Sequence, residues 1–318
     1  MKSIRKKEYN EVMWLGLLTI ILSAAIGGSI NSVAVKVGGH EFTPILFTII
    51  RFLLSSLILL PLFLLQKGSK LYKADRKVLF LMSILFALNI VLFSIGLQFT
   101  SAIMGQLLYV VSPILVIVFA HFLIGEKYTK EKGIGLIITL SGVGFLLYQS
   151  ISKQAVLTFG TPLGNFLVLL GVICTALYFV LSRRLSHSYS SITIIFMNFL
   201  ITFIFGLCLV PFLFFLFPHT TIHVAKGGVL SIGAIVFSSV CAYMFQQATI
   251  KRTSAFVGSL SLYLSPFFTA LAAIFLLGEK VTLPFIAGGI FIALGVFYAT
   301  AYHHVKKLFQ SKEALVEN

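Results

Sequence analysis

The stretch SPILVIVFAHFLIGEK, Ser112–Lys127, returns as SPFFTALAAIFLLGEK, Ser265–Lys280, 153 residues later. Sliding Thr100–Val143 onto Thr253–Val296 without a gap extends the match. Thr-Ser-Ala meets Thr-Ser-Ala, Gly105 meets Gly258, and Ser112-Pro113 meets Ser265-Pro266. Gly125-Glu126-Lys127 meets Gly278-Glu279-Lys280, and Gly142-Val143 meets Gly295-Val296. Identity over this window is about 40%, far above chance even for apolar sequence, so the chain carries an internal duplication. Upstream the copies match only weakly: IIRFLL around Arg51 faces FMNFLI around Asn198.

The solvent for this chain is lipid. Of its 318 residues 58% are hydrophobic and 10% charged, with a mean hydropathy of +1.04. Soluble domains carry about 25% charged residues, and no soluble fold of this size hides so much apolar surface. The net charge of +15 does not indicate nucleic acid, because the basic residues sit in short clusters between apolar runs and form no continuous groove. Cys174, Cys208 and Cys241 all fall inside apolar runs. An odd, buried set argues for packing thiols and against a disulfide framework. Lys2, Arg5, Lys6 and Lys7 resemble a signal-peptide n-region, but the apolar run behind them continues to about Val37 with no clean A-x-A, so it reads as a retained first membrane helix.

A spanning helix needs about 20 apolar residues. Cutting at polar and turn clusters predicts an all-α membrane protein of ten transmembrane helices, at 13–37, 44–66, 78–98, 102–124, 133–149, 162–182, 190–216, 228–249, 255–277 and 283–302. Gly38-Gly39, Lys67-Gly68, Gly125 and Gly278 fall at helix ends, where glycine takes a left-handed conformation cheaply. Residues 13–150 and 160–302 form the two five-helix repeats, between tails at 1–12 and 303–318. With the N-terminus inside, 19 Lys and Arg fall on the inner side and 4 on the outer, leaving Arg51 within a span. That bias places both termini in the cytoplasm of a multi-pass plasma-membrane protein, the inner membrane of a bacterium. Five is odd, so the second repeat is inverted relative to the first, with Glu126-Lys127 cytoplasmic and Glu279-Lys280 external. Inverted repeats are the architecture of secondary transporters. The mid-helix Pro113 and Pro266 each free a backbone carbonyl that protein or water must meet. They read as hinges beside a substrate path, or as static packing kinks.

Two five-helix halves, each ending in T-S-A, a mid-helix S-P and G-E-K, resemble the EamA branch of the drug/metabolite transporter superfamily, over about residues 12–300. The resemblance implies a ten-helix inner-membrane carrier, many such carriers being exporters of amino acids or other small metabolites. It also implies a cavity between the halves, lined by helices one, three, four, six, eight and nine. Those correspond here to the runs carrying Asn31, Asn89, Tyr109, Tyr178, Gln246 and Tyr263. Arg51 fits a basic position common in the family. The tryptophan-rich stretch frequent in family first helices reads GGSINSVAVK here.

All nine acidic residues lie in tails, loops or helix ends. The buried carboxylate that related exporters of lipophilic cations use is missing, which disfavours a cation-drug exporter. Arg51 is the one charge inside a span; it either anchors a substrate carboxylate or snorkels and bonds a neighbouring helix. Asn31, Asn89, Gln106 and Tyr109, with Tyr178, Gln246 and Tyr263, are neutral groups suited to an amino acid or a similar solute, or to interhelical bonding. Gly135–Val143 and Gly288–Val296 carry glycines seven apart, smooth stripes for close packing within the chain, with a homodimer as the alternative to a monomer. His219 and His223 share a loop with no third ligand near, so no metal site is expected. His121 is a proton carrier or a packing residue. No enzymatic motif and no cofactor site appears.

The expected function is transport of a small-molecule substrate through the lipid bilayer by alternating access, most simply export of an amino acid or similar metabolite. A multidrug exporter of neutral or anionic compounds and a non-transporting receptor are the alternatives. Single cysteines at positions 126 and 279, in a chain lacking Cys174, Cys208 and Cys241, are expected to react with an impermeant maleimide from opposite faces of the membrane. Labelling from one face would remove the inverted duplication.

Overall fold

A computed structural model of the chain describes residues 18–66, 72–125, 130–149, 159–216, 226–252 and 255–300. The described residues are helical, with no strand among them. Lipid offers no hydrogen bonds, and a helix meets its backbone groups within its own segment. In chain order the helices are α1, Leu18–Gly38; α2, Pro44–Leu64; α3, Arg76–Gly96; α4a, Ala102–Tyr109, with α4b, Ser112–Ile124; and α5, Lys130–Gln149. They continue with α6, Pro162–Leu185; α7, Ser191–Leu216; α8, Lys226–Arg252; α9a, Ala255–Ser259, with α9b, Ser261–Leu277; and α10, Leu283–Thr300.

Eight of these are long and apolar enough to cross a membrane, α5 and α10 contributing the shorter apolar runs Gly133–Gln149 and Leu283–Gly295. Of the ten full spans expected from sequence, eight are long and apolar enough among the described residues, and α5 and α10 fall short of that length. α5 is shortened by the charged Lys130-Glu131-Lys132 that opens it. The starts of α2 and α6 follow from Thr-Pro pairs. The Thr43 and Thr161 hydroxyls accept from the amides of Leu46 and Gly164, and the following proline takes a position whose amide would have no partner.

The main helix contacts persist when the two copies are exchanged. α3 lies on α6, and α8 lies on α1; α4 lies on α6, and α9 lies on α1. Equivalent helices also meet each other, α2 on α7 and α5 on α10. α4a packs on α9b while α9a packs on α4b, so these two run antiparallel. α5 and α10 do the same along their glycine stripes. Gly142 abuts Phe291 and Ile292, Gly288 abuts Leu146, and Gly295 abuts Thr139 and the Gly135 carbonyl. Both stripes are consumed within one chain.

Both α4 and α9 are interrupted. Val110 and Val111 bond back only three residues, to the carbonyls of Leu107 and Leu108, and Pro113 occupies the first turn of α4b. Its missing amide leaves the Tyr109 carbonyl without the usual partner, so the helix tightens and restarts. In α9 the break falls at Leu260, more than a turn ahead of Pro266, which sits inside α9b. The two interruptions share one matched three-residue bond, Tyr263 to Leu260 against Val110 to Leu107, but α9 breaks earlier in the helix.

One end of the bundle is tied by charge. Gly278, at φ 66°, closes α9b in the left-handed region and turns Glu279 back over α4a. The Glu279 carboxylate accepts from the amides of Ala102 (2.7 Å) and Ile103 (3.0 Å) at that helix N-terminus, where anions are favoured. Lys36 of α1 lies 3.5 Å from it and donates to the Thr100 carbonyl at 2.7 Å. Residues 1–17 and 301–318, Glu126-Lys127 and the His219–His223 pair lie outside the described residues.

A side chain at Gly295 would place its Cβ 2.4 Å from Thr139 Oγ1 and 2.5 Å from the Thr139 amide nitrogen, whereas one at Gly144 meets nothing within 4 Å. Gly295→Val is expected to cost about 1–3 kcal/mol by overpacking and to lower the melting midpoint in detergent. Gly144→Ala should leave that midpoint unchanged or raised; equal midpoints for both variants would remove the α5–α10 seam.

Candidate functional site

The first copy reaches the centre of the bundle through a distorted stretch of α1. Ile26–Asn31, IGGSIN, forms a π turn, in which the wider spacing leaves carbonyls without their usual partners. Side chains of the second copy meet them. Thr269 of α9b donates to the Gly28 carbonyl at 2.7 Å, and Ser238 of α8 donates to the Ile26 carbonyl at 3.0 Å. Gly28 permits this contact, since a Cβ there would stand 2.7 Å from the Ser265 carbonyl oxygen. The glycine pair in GGSIN therefore serves backbone approach, and the turn brings Gly27 and Asn31 to a cavity between the copies.

That cavity has a volume of about 70 Å³, room for about two waters at about 30 Å³ each. α1 contributes Ser23, Gly27 and Asn31; α2 contributes Arg51; α3 contributes Phe86, Asn89, Ile90 and Phe93; and α4a contributes Gln106 and Tyr109. From the second copy come Thr175, Tyr178 and Phe179 of α6, Ser238, Ala242, Tyr243 and Gln246 of α8, and Ser261, Leu262 and Ser265 of α9b.

Arg51 is the largest fully buried side chain, 1% exposed. Its Nε donates to Ser239 Oγ at 2.7 Å, and its guanidinium carbon lies 4.7 Å from the Phe52 ring centroid. Tyr243 is an electrostatic and hydrogen-bonding neighbour. Nη2 has no hydrogen-bond partner. Among the described residues no Asp or Glu lines the cavity. A buried charge without a counter-ion is costly in a bilayer, so this guanidinium holds the strongest unmet electrostatic demand in the site.

The neutral residues divide into engaged and open groups. Tyr109 donates to Asn89 Oδ1. Gln106 Nε2 donates to Ser32 Oγ at 2.8 Å. Tyr178 donates to Gln247 Oε1 and accepts from Asn198 Nδ2, both at 3.4 Å. Gln247 is held in turn by Ser182 at 2.8 Å and Ser186 at 2.9 Å. Asn31 Oδ1 is buried and has no partner. The Thr175 hydroxyl, also in the lining, is buried without a partner as well, so the site presents one open cationic donor, one open amide acceptor and one open hydroxyl among aromatic walls.

Of the residues singled out from sequence, Asn31, Arg51, Asn89, Gln106, Tyr109, Tyr178 and Gln246 all line this cavity. Tyr263 is not among its lining residues; it packs against the core formed with α4a and α5, its hydroxyl buried without a partner. Pro113 and Pro266 stand outside the lining too, although Ser265 and Leu262 are in it. His121 lies near the end of α4b against Phe122, away from the cavity. Sequence reasoning did not find Ser238, Ser239 and Tyr243 of α8. The spacing of Ser239, Tyr243 and Gln246 by four and three residues, one helix face, was the signal for them. The cysteines are free thiols, and among the described residues no cluster of three His, Cys, Asp or Glu could hold a metal ion.

A family model described as "EamA-like transporter family" matches residues 14–148 and again 162–301. The "Uncharacterized transporter YyaM" of Bacillus subtilis (strain 168) is 25% identical over 309 residues, 94% of this chain and 98% of its own. The "Uncharacterized transporter YoaV" of the same organism is 25% identical over 289 residues, covering 88% and 95%. A solved crystal structure at 16% identity overlays 92% of this chain and 99% of its own with a TM-score of 0.61; this is a likeness of fold.

Tyr109→Phe removes the hydroxyl that satisfies the buried Asn89 Oδ1. A stranded acceptor costs about 1–3 kcal/mol, so the melting midpoint in detergent is expected to fall. An unchanged midpoint would show that the pair is not a structural bond.

Proposed function

This chain belongs to the EamA-like transporter family, and from that premise we propose that it is a secondary carrier. It moves a small polar metabolite, an amino acid or a solute of similar size, across the plasma membrane, in the direction of export. The observation that carries the reading is a polar cavity shared between two copies that pack antiparallel. Two related halves facing opposite ways can exchange shapes and open one central site to each side in turn. In this reading α1–α5 and α6–α10 are inverted repeats of ten crossings over 13–150 and 160–302. Both termini are cytoplasmic, as the 19-to-4 distribution of basic residues favours.

Asn31, Arg51, Asn89, Gln106, Tyr109, Tyr178 and Gln246 then contact the substrate. Tyr263 joins them when α9b turns. Pro113 and Pro266 act as hinges, since a proline lacks the amide that would stiffen its helix. The aromatic walls formed by Phe86, Phe93 and Phe179 favour solutes with an apolar part. They also keep open the second reading, a multidrug exporter of neutral or anionic compounds.

Counterflow of labelled metabolites in proteoliposomes tests the proposal; a receptor or scaffold would show none. Gly27 lines the cavity, and its nearest neighbour to an added Cβ is Ala242 at 3.4 Å. Gly27→Leu should therefore fill the space and abolish counterflow while the melting midpoint is kept. Full counterflow in that variant would move the substrate path elsewhere.

A further inference from the structure

We infer that the cavity selects a singly charged organic anion, a small monocarboxylate, in preference to a zwitterion or a neutral solute of the same size. Arg51 is the charge-selecting residue, and Asn31 accepts a hydrogen bond from a donor group on the same solute. The inference rests on the carrier reading and narrows its substrate, from an amino acid or a solute of similar size, to a monocarboxylate without the ammonium group.

Charge accounting comes first. The lining holds one cation and, among the described residues, no carboxylate. Two described acids in the end turns, Glu279 and Asp75, are already engaged. Glu279 accepts from Ala102 and Ile103, and Asp75 accepts from the Tyr189 hydroxyl. A monoanion brings the desolvated site to neutrality. A zwitterion leaves it positive and sets an ammonium group beside a guanidinium with only neutral acceptors for company. A neutral solute leaves the guanidinium uncompensated.

The open atoms agree with this. Arg51 Nη2 and Asn31 Oδ1 are buried, and both lack partners. The rest of the guanidinium is fixed by Ser239 on Nε and by the Phe52 ring, so the open nitrogen is presented in a set orientation. The duplication supplies an internal control. Asn198 stands opposite Arg51 in the repeat and makes the corresponding contact, accepting from Ser83 of α3 at 2.8 Å where Arg51 donates to Ser239 of α8. The neutral member is also tied to Tyr178 and is closed. The charged member is left open. A volume of about 70 Å³ suits a small solute.

Lactate, alanine and lactamide have the same number of heavy atoms and differ in charge, so they serve as probes. Each is measured for binding to the purified chain by thermal shift and for counterflow in proteoliposomes. Lactate is expected to bind at least about tenfold more tightly than the other two. Arg51→Gln should lower lactate affinity by at least about thirtyfold and erase the ranking, while Arg51→Lys keeps it. The ranking on the unmodified chain stands even where Arg51→Gln fails to fold. Alanine or lactamide binding as tightly as lactate, or no probe binding at all, overturns the inference. Counterflow of alanine or lactamide with no preference for lactate removes charge selection and leaves the carrier. Lactate binding without counterflow supports charge selection and removes the carrier.

Discussion

Antiparallel packing of the duplicated helices is the constraint on which the rest of the molecule depends. Because α4 runs against α9 and α5 against α10, equivalent segments meet face to face near the centre. Each seam is then built twice from similar sequence. Gly142 and Gly295, equivalent in the duplication, each receive the opposing helix at a distance that admits no side chain. Irregular backbone is tolerated at the centre for the same reason. The π turn of α1 loses partners for its carbonyls, and hydroxyls of α8 and α9b, from the other copy, replace them. Lipid cannot do this, so such a turn survives only where protein or a watered cavity faces it.

Symmetry of packing does not bring symmetry of chemistry. Arg51 and Asn198 occupy related places and each bonds a serine on the neighbouring helix, Arg51 donating to Ser239 and Asn198 accepting from Ser83. One is a charge and the other an amide. The amide finds enough partners inside the bundle to be satisfied; the guanidinium, with more donors to place, does not. The scaffold is thus shared by both copies, while the electrostatics of the cavity come from one of them.

The duplication, the helical class and seven of the eight proposed cavity residues were legible in the sequence because each leaves a one-dimensional mark. A polar side chain in a lipid-facing run is costly, so it has a reason to be there. Ser238 and Ser239 leave a weaker mark, since a helix hydroxyl can bond its own preceding turn, as Ser239 does with Ile235; only the shared face with Tyr243 and Gln246 points to Ser239. Tyr263 shows the complementary limit. Leu260 and Tyr263 bond back only three residues, to Val257 and Leu260. A tightened turn advances faster around the axis than an α-helix, so helical phase carried from Ser259 across the break no longer tells which face Tyr263 occupies. Length was the other misleading quantity. α5 and α10 look like full spans in composition, yet their apolar parts are short and their glycine stripes are spent on each other.

The two ends of the cavity are closed by bonds of different kinds. Toward the α9–α10 turn, the copies are joined through Glu279, Lys36 and the N-terminus of α4a, a charge-assisted set whose carboxylate is only 11% exposed. Toward the opposite end the links between copies hold no ion pair and are mostly neutral, the exception being the 3.2 Å bond from the Tyr189 hydroxyl to the Asp75 carboxylate. Thr19 bonds Thr249 at 2.8 Å, the Tyr72 amide donates to the Tyr189 hydroxyl at 3.0 Å, and Ser190 donates to Gln66 at 2.6 Å. Charge-assisted bonds are roughly twice as strong as neutral ones, and a typical neutral bond is worth about 1 kcal/mol net. For the alternating access proposed here, the end without an ion pair is therefore the cheaper one to open from this arrangement. Opening the other end must separate an ion pair and uncap a helix in the same step, so this arrangement is biased toward the state in which the α9–α10 side stays shut.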